Sequence, residues 1–430
     1  MRFDLLHPAD QIVMIMQRIY AYGMTTTSGG NLSIRDENGD VWITPAGVDK
    51  GSLARRDIIR VQPDGTVIGP HRPSSELPFH LSIYERRPDL RAVLHAHPPA
   101  LVAFSIVRKA PQTNLIPNVH EICGPVAYAE YGLPGSQRLG ENIASVFAGG
   151  VDTVLLENHG IVLGARDLFR AFMAFETLDF CARLEIGARR MGTPRPLTPV
   201  QLALTAPRRQ QAVPTFVPGP ASSLERAARR EMCELIHRAY DQQLVSSTQG
   251  TFSQRLDGND FVITPFGLDR KYLEPGDLVR IDRGRAEAGK TPSRSVNLHR
   301  RTYELQPAIN AVIIAHPPSA MVFAVTDNVF DSRTIPESYI LLREVPRLPY
   351  GSNLTDVERA AATLSARNPV VILENDSLMF GGTTLLNAFD RLEVAEYSAK
   401  AIIAARELGE IVAIDGPQVE ELVAAFDLDT

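Results

Sequence analysis

Apolar residues recur with two different spacings along the first half of the chain. Residues 8–22 and 167–190 carry them at helical spacing, which predicts an amphipathic helix in each segment. Between these segments, residues 28–35 and 41–47 form two short runs joined by the polar turn 36–39, a pattern typical of adjacent strands. Short strands interspersed with helices predict an α/β sandwich built on a mixed sheet.

The motifs of the first half return in the same order in the second half. The matched segments are 28–35 with 247–255, 41–47 with 261–267, 57–60 with 277–280, 97–99 with 316–318, 157–158 with 374–375 and 176–192 with 393–409. Residues 192–222 contain seven prolines and no sustained periodicity, which predicts a linker. We therefore expect a first domain at residues 1–192, a linker at 193–222 and a second domain at 223–430.

Two histidines follow the apolar run 91–94. His95 and His97 are separated by one residue, so on a strand both imidazoles project from the same face. Two nitrogens can then be directed at one metal ion. The pair alone is weak evidence, because most buried histidines are ordinary core residues.

The second copy serves as an internal comparison for the first. The pairs that differ are His95 with Ile314, His159 with Asp376 and Glu76 with Ser295, whereas His97 is matched by His316. All three differences remove a group that a metal-dependent active site uses. Three neutral imidazoles with an open fourth position are typical of a catalytic site for zinc or a similar divalent ion. A nearby carboxylate supplies general-base chemistry. We therefore expect a catalytic first copy and a metal-free second copy with a structural or interface role.

Two other polar residues are present in both copies. His80 is matched by His299, and Tyr84 by Tyr303. Both residues are present in the copy that lacks His95, His159 and Glu76. We therefore predict that they have packing or hydrogen-bonding roles and no catalytic one.

Composition narrows the functional classes. A net charge of -6 provides no basic surface of the kind that nucleic-acid-binding proteins carry. The three cysteines are widely spaced and form no paired motif, which fits a reducing cytoplasm better than a disulfide framework. The N-terminal residues read as an amphipathic helix and not as a signal peptide. No apolar run reaches the roughly 18 residues of a membrane span.

Five motifs in this order resemble the class II aldolase and adducin family. They are Gly-Asn-x-Ser at 30–33, Thr-Pro-x-Gly at 44–47, Ser-Ser-Glu at 74–76, His-x-His-Pro at 95–98 and Asn-His-Gly at 158–160. The resemblance covers both halves. It implies a three-layer α/β/α sandwich with a mixed, mainly antiparallel sheet, present twice.

The resemblance also implies a set of functional residues. His95, His97 and His159 would bind a divalent ion, zinc first and manganese, cobalt or iron as alternatives, while Glu76 would act as acid and base. A small substrate with adjacent oxygens would pass through an enediolate or enolate during aldol cleavage or decarboxylation. Residues that would hold an anionic group of the substrate are Asn31, Gly47, Ser74 and Ser75.

Two departures from the family pattern concern specificity. Ala46 stands where phosphate-binding members often carry a hydroxyl donor. His120 and Glu121 fall where fuculose-phosphate aldolases carry a catalytic tyrosine, which makes these two residues candidates for a different proton donor. Epimerase and dehydratase activities use the same metal site, and a non-catalytic adducin-like scaffold is the alternative from another class. The family further implies a homo-oligomer, a dimer or tetramer.

Overall fold

The computed structural model describes residues 3–205 and 213–428. Contacts within the chain divide it into two compact units. The first unit comprises residues up to 113 together with 118–183, and the second comprises 114–117 together with the residues from 184 onward. The division falls at residue 183, inside a helix that spans Leu168–Met191.

The first unit is built on one mixed sheet flanked by helices. Its strands are β1 Asn31–Arg35, β2 Val41–Ile43, β3 Ile59–Val61, β4 Val67–Ile68, β5 Ala92–Ala96, β6 Val126–Ala129, β7 Thr153–Leu156 and β8 Ile161–Ala165. The helices that begin in it or border it are α1 Pro8–Ala21, α2 Leu77–Arg86, α3 Pro99–Ile106, α4 Pro117–Cys123, α5 Gln137–Ala148 and α6 Leu168–Met191. The strand order in the described residues is β4-β3-β2-β1-β5-β8-β7-β6, and only β6 and β7 run parallel.

Helices cover both faces of this sheet. On one face, Phe79 of α2 and Phe147 of α5 pack against alternate strand residues such as Val93 and Val162. On the other face, α1 buries Ile12, Ile15 and Ile19. Helix α1 begins at Pro8, whose missing amide costs nothing in the first turn, and the His7 side chain accepts a hydrogen bond from the Ala9 amide.

The second unit repeats this plan. Its strands are β9 Thr215–Phe216, β10 Thr251–Arg255, β11 Phe261–Ile263, β12 Val279–Asp282, β13 Arg285–Glu287, β14 Ala311–Ala315, β15 Arg347–Leu348, β16 Val370–Leu373 and β17 Ser377–Gly382. Its helices are α7 Pro199–Thr205, α8 Ser223–Asp241, α9 Val296–Leu305, α10 Pro336–Leu342, α11 Ser352–Thr355, α12 Val357–Thr363, α13 Leu385–Leu408 and α14 Gly416–Phe426. The described strands follow the order β15-β16-β17-β14-β10-β11-β12-β13-β9 and are mainly antiparallel. The predicted fold in two copies is confirmed.

Part of the predicted linker has regular structure. Residues 199–205 form α7, and β9 pairs in parallel with β13, so that this segment extends the second sheet. Residues 206–212 of the predicted linker lie outside the described residues. In the described part of the chain, no helix is long and apolar enough to cross a membrane.

Both units bury a histidine in the same hydrogen-bonded arrangement. Ser253 Oγ lies 2.7 Å from both His299 Nδ1 and the Tyr303 hydroxyl, and Ser33 contacts His80 and Tyr84 in the same way. The interpretation of these histidines as hydrogen-bonding residues agrees with this geometry. Burial lowers the pKa of His299 from the ordinary value of 6.5 to about 3.

The buried His299 makes stability depend on pH. Below about pH 6.5 the unfolded chain takes up a proton at His299 that the folded chain excludes, so the stabilising effect is complete above this pH and is lost as the pH falls. We expect His299 alone to lower the free energy of unfolding by about 2 kcal/mol between pH 7 and pH 5. Denaturant unfolding at the two pH values should therefore show a smaller pH-dependent loss for His299→Gln than for the wild type. The exposed His120 provides the control variant His120→Gln, and equal losses in all three proteins would contradict the prediction.

Candidate active site

Strand β5 carries the first two candidate histidines. His95 pairs across the sheet with Asn31 on β1 and with Val162 on β8, and its side chain is fully buried. Its Nδ1 lies 2.9 Å from the Ile161 carbonyl oxygen. Because a carbonyl can only accept, Nδ1 carries the proton and Nε2 keeps its lone pair. His97 follows the end of the strand, and its Nε2 lies 3.0 Å from His95 Nε2.

A tight turn between β7 and β8 brings in the third histidine. The Leu156 amide donates to the Gly160 carbonyl oxygen at 2.8 Å, and Asn158 adopts a φ of 54°. Asparagine tolerates this left-handed conformation better than most residues. His159 is thereby held against His95 and His97, and one nitrogen from each ring lies within 4.8 Å of the other two.

Two glycines allow the His97 ring to approach the backbone. A Cβ at Gly29 would lie 2.9 Å from His97 Nδ1, and a Cβ at Gly160 would lie 2.6 Å from His97 Cδ2. Both distances are shorter than van der Waals contact. Sequence reasoning missed this role of Gly29, although the repeat carried a signal: the second copy has Gln249 at the matching position.

Replacing Gly29 by alanine should displace the His97 ring. We expect Gly29→Ala to weaken divalent-metal binding about 10-fold, the lower end of the effect of disturbing groups that orient metal ligands. Competition with a fluorescent chelator measures this change. The matched variant Gln249→Ala in the second unit should leave the affinity unchanged, and full affinity in Gly29→Ala would contradict the packing argument.

Glu76 faces the three histidines from the N-terminal end of α2. Its Oε2 lies 3.3 Å from His95 Nε2, and its Oε1 lies 3.9 Å from His159 Nε2. Oε1 is buried and has no hydrogen-bond partner among the described residues. Because an unpaired buried carboxylate oxygen is costly, a cation between Glu76 and the histidines suits this arrangement.

A chain of buried hydrogen bonds holds Glu76 in place. Asn31 Nδ2 donates to Glu76 Oε2 at 2.6 Å, and His80 Nε2 donates to Asn31 Oδ1 at 2.5 Å. Ser33 then connects His80 Nδ1 to the Tyr84 hydroxyl. The family resemblance implied a substrate-binding role for Asn31, and in the structure both polar ends of its side chain contact protein groups.

The electrostatics of the site keep the imidazoles neutral. Burial, reinforced by the neighbouring histidines, lowers the pKa of His95 and of His97 to about 3. Burial also lowers the pKa of His159, and the negative charge of Glu76 opposes this effect. Neutral imidazoles with free lone pairs are the form that binds a metal ion.

The predicted anion-binding residues other than Asn31 lie on two bridged loops. Pro45 forms an isolated bridge with Pro73, and the Ser74 amide donates to the Thr44 carbonyl oxygen. Gly47 is exposed with a φ of 70°, Ser75 is exposed, and the half-buried Ser74 accepts the Glu76 amide through its hydroxyl. The loop of Gly47 is thus tied to the segment that leads into α2.

The predicted alternative proton donors, unlike Glu76, lie on an exposed helix surface. His120 and Glu121 lie on the short helix α4, and both side chains are exposed. The three histidines form the metal-type cluster found in the described residues, and neither His120 nor Glu121 belongs to it. Their catalytic role stays a prediction.

Comparison with known proteins identifies the family. The model of the class II aldolase and adducin N-terminal domain matches residues 10–186 and again 230–403. The chain belongs to the class II aldolase and adducin family. The two matches correspond to the two copies predicted from the sequence.

Relatives within the class II aldolase family carry several activities in their names. An L-fuculose phosphate aldolase of Methanococcus maripaludis is 34% identical over 40% of this chain and 93% of its own length. A methylthioribulose-1-phosphate dehydratase of Acidiphilium cryptum is 36% identical over 43% of this chain and 92% of its own. A 3-oxo-tetronate 4-phosphate decarboxylase of Haemophilus influenzae is 30% identical over 40% of this chain and 84% of its own.

The second aldolase-like copy keeps the backbone of the site but changes its chemistry. Ile314 pairs with Thr251 in the same register in which His95 pairs with Asn31. The Thr251 hydroxyl contacts Ser293 at 2.8 Å, and Asp376 accepts hydrogen bonds from Asn353 and Ser377. The same fold therefore places an aliphatic side chain where the first copy has the fully buried imidazole of His95.

Proposed function

We propose that the first unit is a metal-dependent lyase whose ion is held by His95, His97 and His159. The observation that carries this proposal is the convergence of three neutral imidazole nitrogens within 4.8 Å of one another, opposite a carboxylate oxygen that has no hydrogen-bond partner in the described part of the chain. Three nitrogen ligands with a remaining open position favour zinc, and manganese, cobalt and iron are alternatives. A bound divalent ion would act as a Lewis acid toward a substrate oxygen.

Glu76 is the acid and base of the proposed reaction. Asn31, which is itself held by the buried His80, donates to Oε2 of this carboxylate and so fixes both carboxylate oxygens beside His95 and His159. A carboxylate fixed by a buried chain of hydrogen bonds needs little reorganisation when it takes up or returns a proton. Asn31 thus has a positioning role in this proposal.

The substrate is a small hydroxylated carbonyl or carboxylate compound. Gly47, Ser74 and Ser75 lie on exposed or half-exposed loops beside α2, where amides and hydroxyls can bind an anionic group. The relatives are named for phosphorylated compounds, which supports a phosphate as this group. Aldol cleavage and decarboxylation are the leading reactions, and epimerisation and dehydration are alternatives. The proposed enzyme is a cytoplasmic homo-oligomer, a dimer or tetramer, with a second unit that has no metal.

Metal analysis and a substrate screen on the full chain test this proposal. We expect about one zinc-type ion per chain by elemental analysis. We also expect turnover of at least one compound in a panel of ketose 1-phosphates, 3-oxo acid phosphates and their unphosphorylated analogues. Absence of tight metal binding would overturn the proposal. Turnover limited to unphosphorylated acids would overturn only the phosphate assignment.

A further inference from the structure

Strand β4 forms one edge of the first sheet and carries exposed apolar residues. Val67 and Ile68 are 47% and 45% exposed. Within residues 3–205 and 213–428, β4 pairs with β3 alone. An apolar edge strand of this kind can accept a further strand.

Side chains on one face of the sheet form a row that ends at this edge. Trp42 pairs with Arg60, and Arg60 pairs with Ile68, so the three lie side by side on adjacent strands. The Arg60 guanidinium carbon is 5.7 Å from the Trp42 ring centroid. A cavity of about 560 Å³ adjoins the row, lined among others by His7, Ala9 and Gly69.

The second unit shows how the equivalent row is completed. There Val262 pairs with Arg280, and the Arg280 amide donates to the Glu287 side chain at 3.2 Å. Phe216 of β9 pairs with Glu287 on its outer side. The Arg280 guanidinium carbon lies 5.8 Å from the Phe216 ring centroid. The added strand also accepts hydrogen bonds from the outer side of β13. The Ala286 amide donates to the Pro214 carbonyl oxygen, and the amide of Ala288, the residue after β13, donates to the Phe216 carbonyl oxygen.

Charge in the first unit favours an apolar occupant over an anion. Arg60 is paired with Asp40, and Arg55 with Asp10, so two of the cations beside the cavity are already neutralised. Ile68 occupies the position of Glu287, whose carboxylate bonds with Arg229 and Lys290 in the second unit. The edge of the first sheet therefore offers an aliphatic side chain and a paired guanidinium, on which an aromatic ring can pack.

We propose that β4 and the adjoining cavity bind an extended segment of a partner polypeptide by strand addition, with an aromatic side chain over Ile68 and Arg60. The main chain of the partner would pair with the outer side of β4, as β9 pairs with β13. Backbone hydrogen bonds then provide affinity, and the ring provides selectivity. This surface is separate from the histidine cluster, and the proposal does not depend on the lyase activity.

Trp42 provides a specific reporter for this surface because it is the one tryptophan of the chain. The probe is a synthetic peptide of residues 213–219, Val-Pro-Thr-Phe-Val-Pro-Gly, titrated into the protein of residues 1–430. We expect a saturable change in tryptophan emission. A peptide with alanine in place of phenylalanine should bind at least about 5-fold more weakly, since it loses the ring contact.

Protein variants separate strand addition from other binding modes. Val67→Pro removes the amide donor that corresponds to the Ala286 amide of the second unit, and it should abolish the emission change. Ile68→Asp keeps the backbone amides and should weaken peptide binding at least about 5-fold. The matched second-unit variant Ala286→Pro should retain binding, with circular dichroism used to check folding of each protein. Absence of a saturable change, or full binding to Ile68→Asp, would overturn the proposal. A third outcome would also overturn it: the wild-type protein self-associates but does not bind the peptide, and Val67→Pro abolishes the self-association. In that case the β4 edges of two copies pair with each other.

Discussion

Replacing His95 by alanine is expected to weaken divalent-metal binding at least about 100-fold, more than the loss of an orienting group alone produces. His95 is the most buried of the three histidines, and its Nδ1 hydrogen bond to Ile161 directs Nε2 at the cluster. Alanine removes this nitrogen and leaves only His97 and His159. Elemental analysis after dialysis against a chelator, followed by a titration with zinc, measures the change.

The repeat provides a matched control for this experiment. His316 occupies in the second unit the position of His97, next to Ile314 in place of His95. We expect His97→Ala to lose metal binding and His316→Ala to retain it. Full metal occupancy in His95→Ala, or equal losses in His97→Ala and His316→Ala, would contradict the assignment of the ion to the first unit.

Replacing Glu76 by glutamine is expected to lower kcat by a factor of about 100 to 10,000, the usual contribution of a positioned acid or base. Glutamine has nearly the same shape and can still accept the hydrogen bond from Asn31, but it does not exchange a proton at neutral pH. Metal content should therefore be retained while turnover is lost. The measurement is kcat on the compound identified in the substrate screen.

Two comparisons make the Glu76 result specific. Ser295→Ala changes the position that matches Glu76 in the second unit, where a serine hydroxyl replaces the carboxylate, and should leave kcat unchanged. Asn31→Ala should lower kcat less than Glu76→Gln, because it disturbs the orientation of the carboxylate without removing it. Unchanged turnover in Glu76→Gln would contradict the assignment of Glu76 as acid and base. His120 and Glu121 would then be the first residues to test for this role.

The fold was largely predictable because the chain contains it twice. Strand and helix periods, the polar turn at 36–39 and the conserved order of motifs each pointed to the same α/β sandwich. The pattern of residues 193–222 predicted no regular element, although α7 and β9 form there. Residues 215–216 carry too short a pattern to indicate a strand, and β9 forms because β13 offers it an open edge.

The sequence by itself determined which residues carry the candidate chemistry. Residue identity decides whether a position can bind a metal, and the aligned copies separated His95, His159 and Glu76 from the shared scaffold. Only the tertiary structure decided how these groups meet. The turn at Asn158 brings His159 to a strand some 60 residues earlier in the chain, and Asn31 turns out to hold Glu76. Such contacts depend on strand register and side-chain direction across the sheet, which no local pattern in the chain specifies.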